Sequence, residues 1–342
     1  MVTLRDIANE AGVSTATVSN VINGNLARVS PENAARIREI ISQRQYVPNS
    51  SARTLAAKSS HIIAGIILGG QGDNMLKDPY NAEFFGELIC AVQERGYYLM
   101  LRYVKDYEEV VNSLRSWNVD GAVFVGTSDT YIKKIRERIQ IPLIFTDTYT
   151  RQQNVSNVGI DNFRGGVLAA QYFLDKGHTR LGFTGYGFKK HGKNVVTERY
   201  KGFCSALKAR GIELKNEQLF PISSGDPEKD IQKCVARLCA GPSKNRISGL
   251  FASADKLAID LIEALADRGM KAPDDISIIG FDDLSIAANI KPGLTTIRQD
   301  ISEKARIAAS LLFRQIEGAE DVSPNTILGI TLVERNSVRQ MR

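Results

Sequence analysis

The sequence predicts an all-α head of three short helices joined to a larger α/β body built from two parallel-sheet lobes. Three observations predict it. Residues 1–46 carry apolar positions at helical spacing with capping signals between them, residues 47–60 are rich in Ser and Ala after a proline, and from Ile62 onward strand-length apolar runs alternate with amphipathic segments. At 342 residues the chain also outgrows one core, since single cores rarely exceed about 250–300 residues.

In the head, Leu4, Ile7, Ala8 and Ala11 form one helical face, and Gly12 suits the left-handed position that ends a helix. Ser14 or Thr15 can cap a second helix whose inner face is Val18, Val21 and Ile22. Two short helices across a Gly-containing turn are a helix-turn-helix. The second helix leaves Thr15, Ala16, Thr17, Ser19, Asn20 and Asn23 outside, small and amide-bearing groups where surface helices usually carry Lys and Glu. Such a face can enter a DNA groove: amides pair with adenine edges, hydroxyls reach phosphates or bases, and small apolar groups meet thymine methyls. Ser30-Pro31-Glu32 opens a third helix with a cap, an N1 proline and an acid at the positive end of the dipole; its expected inner stripe is Ala35, Ile37, Ile40 and Ile41.

Charge agrees with a polyanion partner. Residues 1–60 hold seven basic side chains (Arg5, Arg28, Arg36, Arg38, Arg44, Arg53, Lys58) against four acids (Asp6, Glu10, Glu32, Glu39), in a chain of net charge +6. Arg5, Arg28 and Arg36 are expected to anchor the phosphate backbone. Residues 49–57 can make two helical turns behind Pro48, too few to be stable alone, because isolated helices below about 12 residues are marginal.

The body reads as apolar strand runs at 62–68, 98–103, 122–125 and 143–145, then 181–184, 249–252 and 276–281, separated by helices. This alternation gives parallel sheets covered on both faces, and two such series give two lobes whose ligands bind beyond the carboxyl ends of the strands. Asp147, Asp255 and Asp282 follow strand runs, and Arg199 begins a helix after another. Carboxylates that accept and a guanidinium that donates can hold vicinal hydroxyls, with Tyr80, Phe84, Tyr186 and Phe188 as apolar wall.

The run Thr3-Leu-Arg-Asp-Ile-Ala-Asn-Glu-Ala-Gly-Val-Ser-Thr-Ala-Thr-Val-Ser-Asn-Val-Ile-Asn23-Gly24, continued by Tyr46-Val-Pro-Asn-Ser-Ser-Ala-Arg-Thr-Leu55, resembles the head of the lactose repressor/galactose repressor (LacI/GalR) family. The resemblance extends over nearly the whole chain. It implies a helix-turn-helix DNA-binding domain at 1–46, a hinge at 47–60, and a periplasmic-binding-protein-like effector domain at 61–342 with Rossmann-like lobes. Lobe 1 is expected at about 61–160 and 291–320 and lobe 2 at about 161–290 and 321–342, so the chain crosses near 161, 290 and 321.

By the resemblance, Thr15, Ala16 and Asn20 stand where operator bases are chosen; the family often has Arg in place of Asn20, which leaves the operator sequence open. Leu55 matches the residue that wedges into the minor groove and bends the duplex. Thr3, Arg5, Ser14, Thr17, Ser19, Asn23, Arg28, Asn49, Ala52, Arg53 and Ala56 complete the expected DNA contacts. Asp147, Arg199 and Asp282 match effector-touching positions, whereas Ala254 stands where Asn or Ser is common. The implied protein is a regulator that binds a palindromic double-stranded operator as a homodimer and answers to a sugar or sugar derivative. A non-sugar effector, a corepressor protein and a sugar-binding protein without regulatory role are the other readings.

Other chemistry finds little support. Gly187-Phe-Lys-Lys-His-Gly192-Lys193-Asn194 departs from a phosphate-binding loop because Asn194 stands where Ser or Thr must hold magnesium, which leaves Lys189, Lys190, His191 and Lys193 as a solvated loop at the cleft mouth, with a grip on a phosphorylated ligand as the alternative. Gly70-x-Gly72 has Met75 where a dinucleotide fingerprint needs its third glycine. Cys90, Cys204, Cys234 and Cys239 are read as buried thiols, and no metal set, cofactor site or catalytic constellation is expected. No apolar run reaches the about 18 residues of a membrane span and the N-terminus lacks signal-peptide character, so a cytoplasmic protein is expected. The stretch after Val333 carries no leucine heptad, which favours a dimer over a tetramer.

Overall fold

The computed structural model describes residues 2–46, 59–68, 75–127, 129–148, 155–188, 194–223, 225–242, 246–319 and 325–341. Residues 1–61 and 62–342 form two compact units.

The head consists of α1 (Leu4–Ala11), α2 (Thr15–Ile22) and α3 (Pro31–Gln43). Thr3 and Asp6 make a reciprocal capping box, with the Asp6 N–H donating to Thr3 Oγ1 at 3.3 Å and the Thr3 N–H to the Asp6 carboxylate at 2.8 Å. Gly12, at φ 69°, stops α1 and turns the chain toward α2. Ser14 caps α2 by accepting from the Thr17 N–H at 3.1 Å, and Ser30 caps α3 ahead of Pro31. Ile7, Ala8, Ala11, Val18, Val21, Ala34, Ile37 and Ile40 close the core. Ala34, not the expected Ala35, faces inward. At about 100° per residue, Ala34 shares a face with Ile37 and Ile41, and Ala35 turns away.

The body holds two six-stranded sheets. The first is ordered β11-β5-β4-β3-β1-β2 and is parallel throughout, with β1 Ile62–Leu68, β2 Tyr98–Val104, β3 Gly121–Val125, β4 Leu143–Thr146, β5 Ser156–Ile160 and β11 Asn325–Leu328. The second is ordered β12-β10-β9-β8-β6-β7, with β6 Leu181–Tyr186, β7 Leu219–Ile222, β8 Gly249–Ala252, β9 Ser277–Asp282, β10 Thr295–Gln299 and β12 Ile330–Val333; only β12 runs antiparallel. Helices α4 (Pro79–Gln93) and α12 (Ile301–Ile316) cover one face of the first sheet, and α5 (Tyr107–Ser116) and α6 (Asp129–Arg138) the other. On the second sheet the pairs are α7 (Asn162–Asp175) with α8 (Val195–Lys208), and α9 (Pro227–Cys239) with α10 (Asp255–Ala266); the short α11 (Ser285–Asn289) follows β9. Both sheets are therefore buried on both faces, which is why β1, β3, β4, β8 and β9 read as unbroken apolar runs.

The chain passes between lobes after β5, between β10 and α12, and between β11 and β12. The last two passages fall near Asp300 and Gly329, later than the expected 290 and 321. The Thr295–Gln299 segment pairs parallel to β9 before the chain leaves lobe 2, and its two threonines, arginine and glutamine hide it as a strand.

One helix contact decides where the site lies. Gly166 on α7 and Gly202 on α8 let the two backbones touch: a Cβ at Gly166 would land on the Arg199 carbonyl, and one at Gly202 on the Phe163 carbonyl. Arg199 sits in the first turns of α8, so this crossing sets its height above the sheet.

Candidate nucleic-acid interface and ligand cleft

On α2, Val18 and Val21 are buried, while Ser14, Thr15, Ala16 and Asn23 are exposed and Thr17, Ser19 and Asn20 half-buried. Part of the outer face is already tied internally: Ser14 Oγ lies 2.9 Å from Thr17 Oγ1, and Asn23 Nδ2 donates to Ser19 Oγ at 3.3 Å. Thr15, Ala16 and Asn20 make no side-chain hydrogen bond among the described residues. Of the expected backbone anchors, Arg5 and Arg28 are exposed. Arg36 instead donates to the Glu10 carbonyl at 3.3 Å, beside an Arg44–Glu10 ion pair at 3.0 Å, so it braces α3 against the end of α1. Asn49, Ala52, Arg53, Leu55 and Ala56 lie outside the described residues, as do Lys189, Lys190, His191 and Lys193.

In the body, facing strand ends converge. Asp147 follows β4 at φ 49° and Asp282 ends β9 at φ 117°, backbone conformations that non-glycine residues adopt at a cost and that recur at functional sites. The Tyr80 hydroxyl donates to Asp147 Oδ2 at 3.1 Å. Lys304, on α12 and 0% exposed, donates to the same oxygen at 2.6 Å and to Gln299 Oε1 at 2.6 Å. Gln299 Nε2 donates to Asp282 Oδ1 at 2.6 Å, and Arg199 Nη1 lies 3.8 Å from that oxygen. Arg199 also donates through Nε to Asn162 Oδ1 at 2.8 Å and through Nη1 to the Ser253 carbonyl, with its guanidinium 3.4 Å from the centre of the Phe281 ring. One chain of polar contacts thus runs from Tyr80 and Asp147 in lobe 1 to Asp282 and Arg199 in lobe 2. Along it, Asp147 Oδ1, Asn162 Nδ2 and Ser253 Oγ are buried and unpaired, which native interiors rarely allow unless a ligand or water completes them.

Four expected cleft residues are placed otherwise. Asp255 is buried within lobe 2, its oxygens taken by the Thr296 hydroxyl at 2.6 Å and the Leu284 N–H at 2.8 Å, and burial pushes its carboxyl well above the usual range. It positions the loop that carries Asp282. Phe84 is fully buried in the lobe 1 core, stacked 6.5 Å from Tyr80. Phe188 packs into the aromatic core of lobe 2 against Phe183 and Tyr200 at 5.1 and 4.7 Å. Tyr186 turns its hydroxyl to Asp260 at 3.4 Å, beside a separate cavity of about 470 Å³ between α9 and α10. Of the thiols, Cys234 alone is buried and Cys90 is exposed. Among the described residues no group of three or more His, Cys, Asp or Glu could hold a metal ion, and no helix is long and apolar enough to cross a membrane.

Lys304, Gln299, Asn162 and Ser253 were absent from the sequence reading. A signal existed for the first: Ile301, Lys304, Ala305, Ala308 and Leu312 share helical spacing, so a lysine interrupts an otherwise apolar face. Its ammonium is pulled below the ordinary lysine range by burial, against the opposing pull of Asp147.

Burial pushes the Asp282 carboxyl up to about 6, against Arg199 and Gln299. The folded chain therefore keeps this proton where an unfolded aspartate, near 3.8, has lost it. Asp282 contributes stability below that lower value, and the contribution is lost as pH rises through about 6. Urea denaturation of the ligand-free protein from about pH 4 to pH 7 should show this loss in wild type relative to Asp282→Asn. Parallel profiles for the two proteins would show that Asp282 titrates normally.

Residues 3–49 match the family described as bacterial regulatory proteins, lacI family, and residues 170–338 match the periplasmic binding protein-like domain. The chain is 30% identical to the HTH-type transcriptional repressor PurR of Mannheimia succiniciproducens, with 100% of both chains covered. Among solved structures it resembles the lac repressor dimer bound to operator and the anti-inducer ONPF, with TM-score 0.80 and 21% identity over 99% of each chain. It also resembles a LacI family transcriptional regulator from Enterococcus faecium with bound ribose, with TM-score 0.69 and 26% identity over 82% of this chain and 100% of that one. A capped helix-turn-helix head, a two-lobed body with its polar groups between the lobes, and a full-length relative at this identity lead to one assignment: the chain belongs to the LacI family of bacterial regulatory proteins and is a DNA-binding transcriptional regulator.

Proposed function

We propose that the protein is a repressor that grips a palindromic operator as a dimer, with α2 in the major groove, and that a sugar or sugar derivative in the cleft sets its affinity for DNA. The observation that carries the ligand half is the polar chain from Asp147 to Asp282 and Arg199, with a buried, unpaired carboxylate oxygen in lobe 1 and unpaired amide and hydroxyl groups in lobe 2. A polyol supplies both the donors and the acceptors that these atoms need. The ribose held by the Enterococcus faecium relative supports the same class. A ligand that touches both lobes changes DNA affinity to the extent that it prefers one arrangement of them.

The test is fluorescence anisotropy of the full-length protein on operators selected from random duplexes, with and without neutral sugars. A sugar that binds the protein and shifts the operator titration supports the proposal; operator binding unmoved by any sugar that binds would defeat it. Dimerisation is checked by sedimentation, where a stable tetramer is the contrary result.

For the DNA half, Asn20→Ala removes the one amide on α2 with no internal partner. It should cost about 1–3 kcal/mol of base discrimination. Preference for the selected operator over random duplex should fall by roughly 5- to 150-fold. An unchanged preference would take Asn20 out of base reading.

A further inference from the structure

We infer that Lys304 makes the inner wall of the cleft electrically neutral and so selects an uncharged polyhydroxylated effector over its acidic, phosphorylated or amino derivatives. The inference rests on the cleft reading above, and it adds the charge of the ligand and the residue that sets it.

The argument starts from donors. An ammonium has three protons to give, and Lys304 gives them to Asp147 Oδ2 at 2.6 Å, Gln299 Oε1 at 2.6 Å and the Tyr80 hydroxyl oxygen at 3.2 Å. Nothing is left for a phosphate or carboxylate on a ligand. The lysine is wholly buried, so it does not swing out to meet one without abandoning Asp147 inside the protein. Its positive charge is spent on Asp147, which keeps Oδ1 as a buried acceptor without a partner, a place for one hydroxyl proton.

The same balance recurs across the cleft. Asp282 faces Arg199 at 3.8 Å, and the guanidinium is further engaged by Asn162, the Ser253 carbonyl and the Phe281 ring. Burial raises the carboxyl of Asp78, the cap of α4, above the usual range and so toward its neutral form. Asp283, next to Asp282, is held by both Arg298 and Arg335. Asp147, Asp282 and Asp283 each have a cation. A ligand anion would meet carboxylates whose counter-charges are already committed, and a ligand ammonium would approach Asp147 with Lys304 directly behind it. Against these buried groups either charge finds no free counter-charge among the residues named, whereas a hydroxyl needs only a hydrogen bond.

The test uses the full-length protein and calorimetric titration with matched sets on one skeleton: D-glucose, D-glucuronate, D-glucose 6-phosphate and D-glucosamine, the corresponding galactose set, and D-ribose beside ribose 5-phosphate. In whichever set binds, the neutral parent should bind at least about tenfold more tightly than its charged derivatives. A charged derivative that binds as tightly as its parent overturns the inference. Should no sugar bind and adenine or hypoxanthine bind instead, the sugar reading and the polyhydroxylated part of the inference fail while the neutral wall stands; should only their nucleotides bind, all of it fails.

A second arm needs no ligand. Lys304→Met leaves Asp147 as a half-buried carboxylate without its cation, so its melting temperature should fall by roughly 5 °C or more at neutral pH. Adding Asp147→Asn should restore most of that loss, because the double variant buries no unpaired charge. Equal melting of wild type and Lys304→Met, or no recovery in the double variant, would show that Lys304 is not the counter-charge of Asp147 and would end the proposal. If the single variant does not fold, the recovery of the double variant alone carries this arm.

Discussion

Gly166→Ala is expected to destabilise the body by about 3 kcal/mol, the upper part of the range for forcing atoms into a packed interior. The added methyl has nowhere to go, because it meets the backbone carbonyl of Arg199 and the backbone N–H of Phe203 on the neighbouring helix. Backbone does not step aside as a side-chain tip can, so α8 must move away from α7. Arg199 rides on that helix, and its 3.8 Å approach to Asp282 and 2.8 Å bond to Asn162 move with it. The variant should therefore lose both stability in urea and the response of operator affinity to the effector. Gly86 provides the control, since it is an exposed glycine on α4 with nothing within 4 Å of a Cβ built on it. Gly86→Ala should stabilise by about 0.5–1 kcal/mol, the ordinary helical advantage of alanine. If the two substitutions behave alike, close packing of α7 on α8 is not what demands Gly166.

Val18→Asp should abolish operator binding and leave effector binding intact. Val18 is 0% exposed in the head, in a core of eight buried side chains, all of them apolar. A carboxylate there has no cation or donor within the cluster, and burying an unpaired charge costs several kcal/mol or forces unfolding. A domain this small has little stability to lose, because few residues mean a large surface for the core it encloses. The body keeps its own four clusters, none of which includes a head residue, and so should retain its calorimetric transition and its ligand affinity. Operator affinity within about threefold of wild type would contradict the assignment of DNA recognition to this core's outer face.

What sequence alone determines here is local. Thr3 with Asp6, Gly12, Ser14 and Ser30-Pro31 each act within a few residues, and each terminates or begins its helix where the pattern places it. The doubly buried strands β1, β3, β4, β8 and β9 are legible because a strand covered on both faces has no polar face to show. The positions of Asp147 and Asp282 at strand ends were readable for the same reason, since a strand ends where its apolar run does.

Only the tertiary structure decides the rest. Ser156–Ile160 is a central strand whose polar residues are satisfied by neighbours distant in sequence: Asn157 bonds to Asn325 at 2.8 Å and Ser156 to Gln315 at 2.6 Å. Asp255 stands after a strand as Asp147 and Asp282 do, yet Thr296 and the Leu284 N–H consume both its oxygens. Lys304 lies 157 positions from the carboxylate it neutralises. A capping side chain finds its partner within one helical turn, so its role is written beside it. A buried charge takes its role from whatever the folded chain brings to within about 3 Å, and no window of neighbouring residues contains that information.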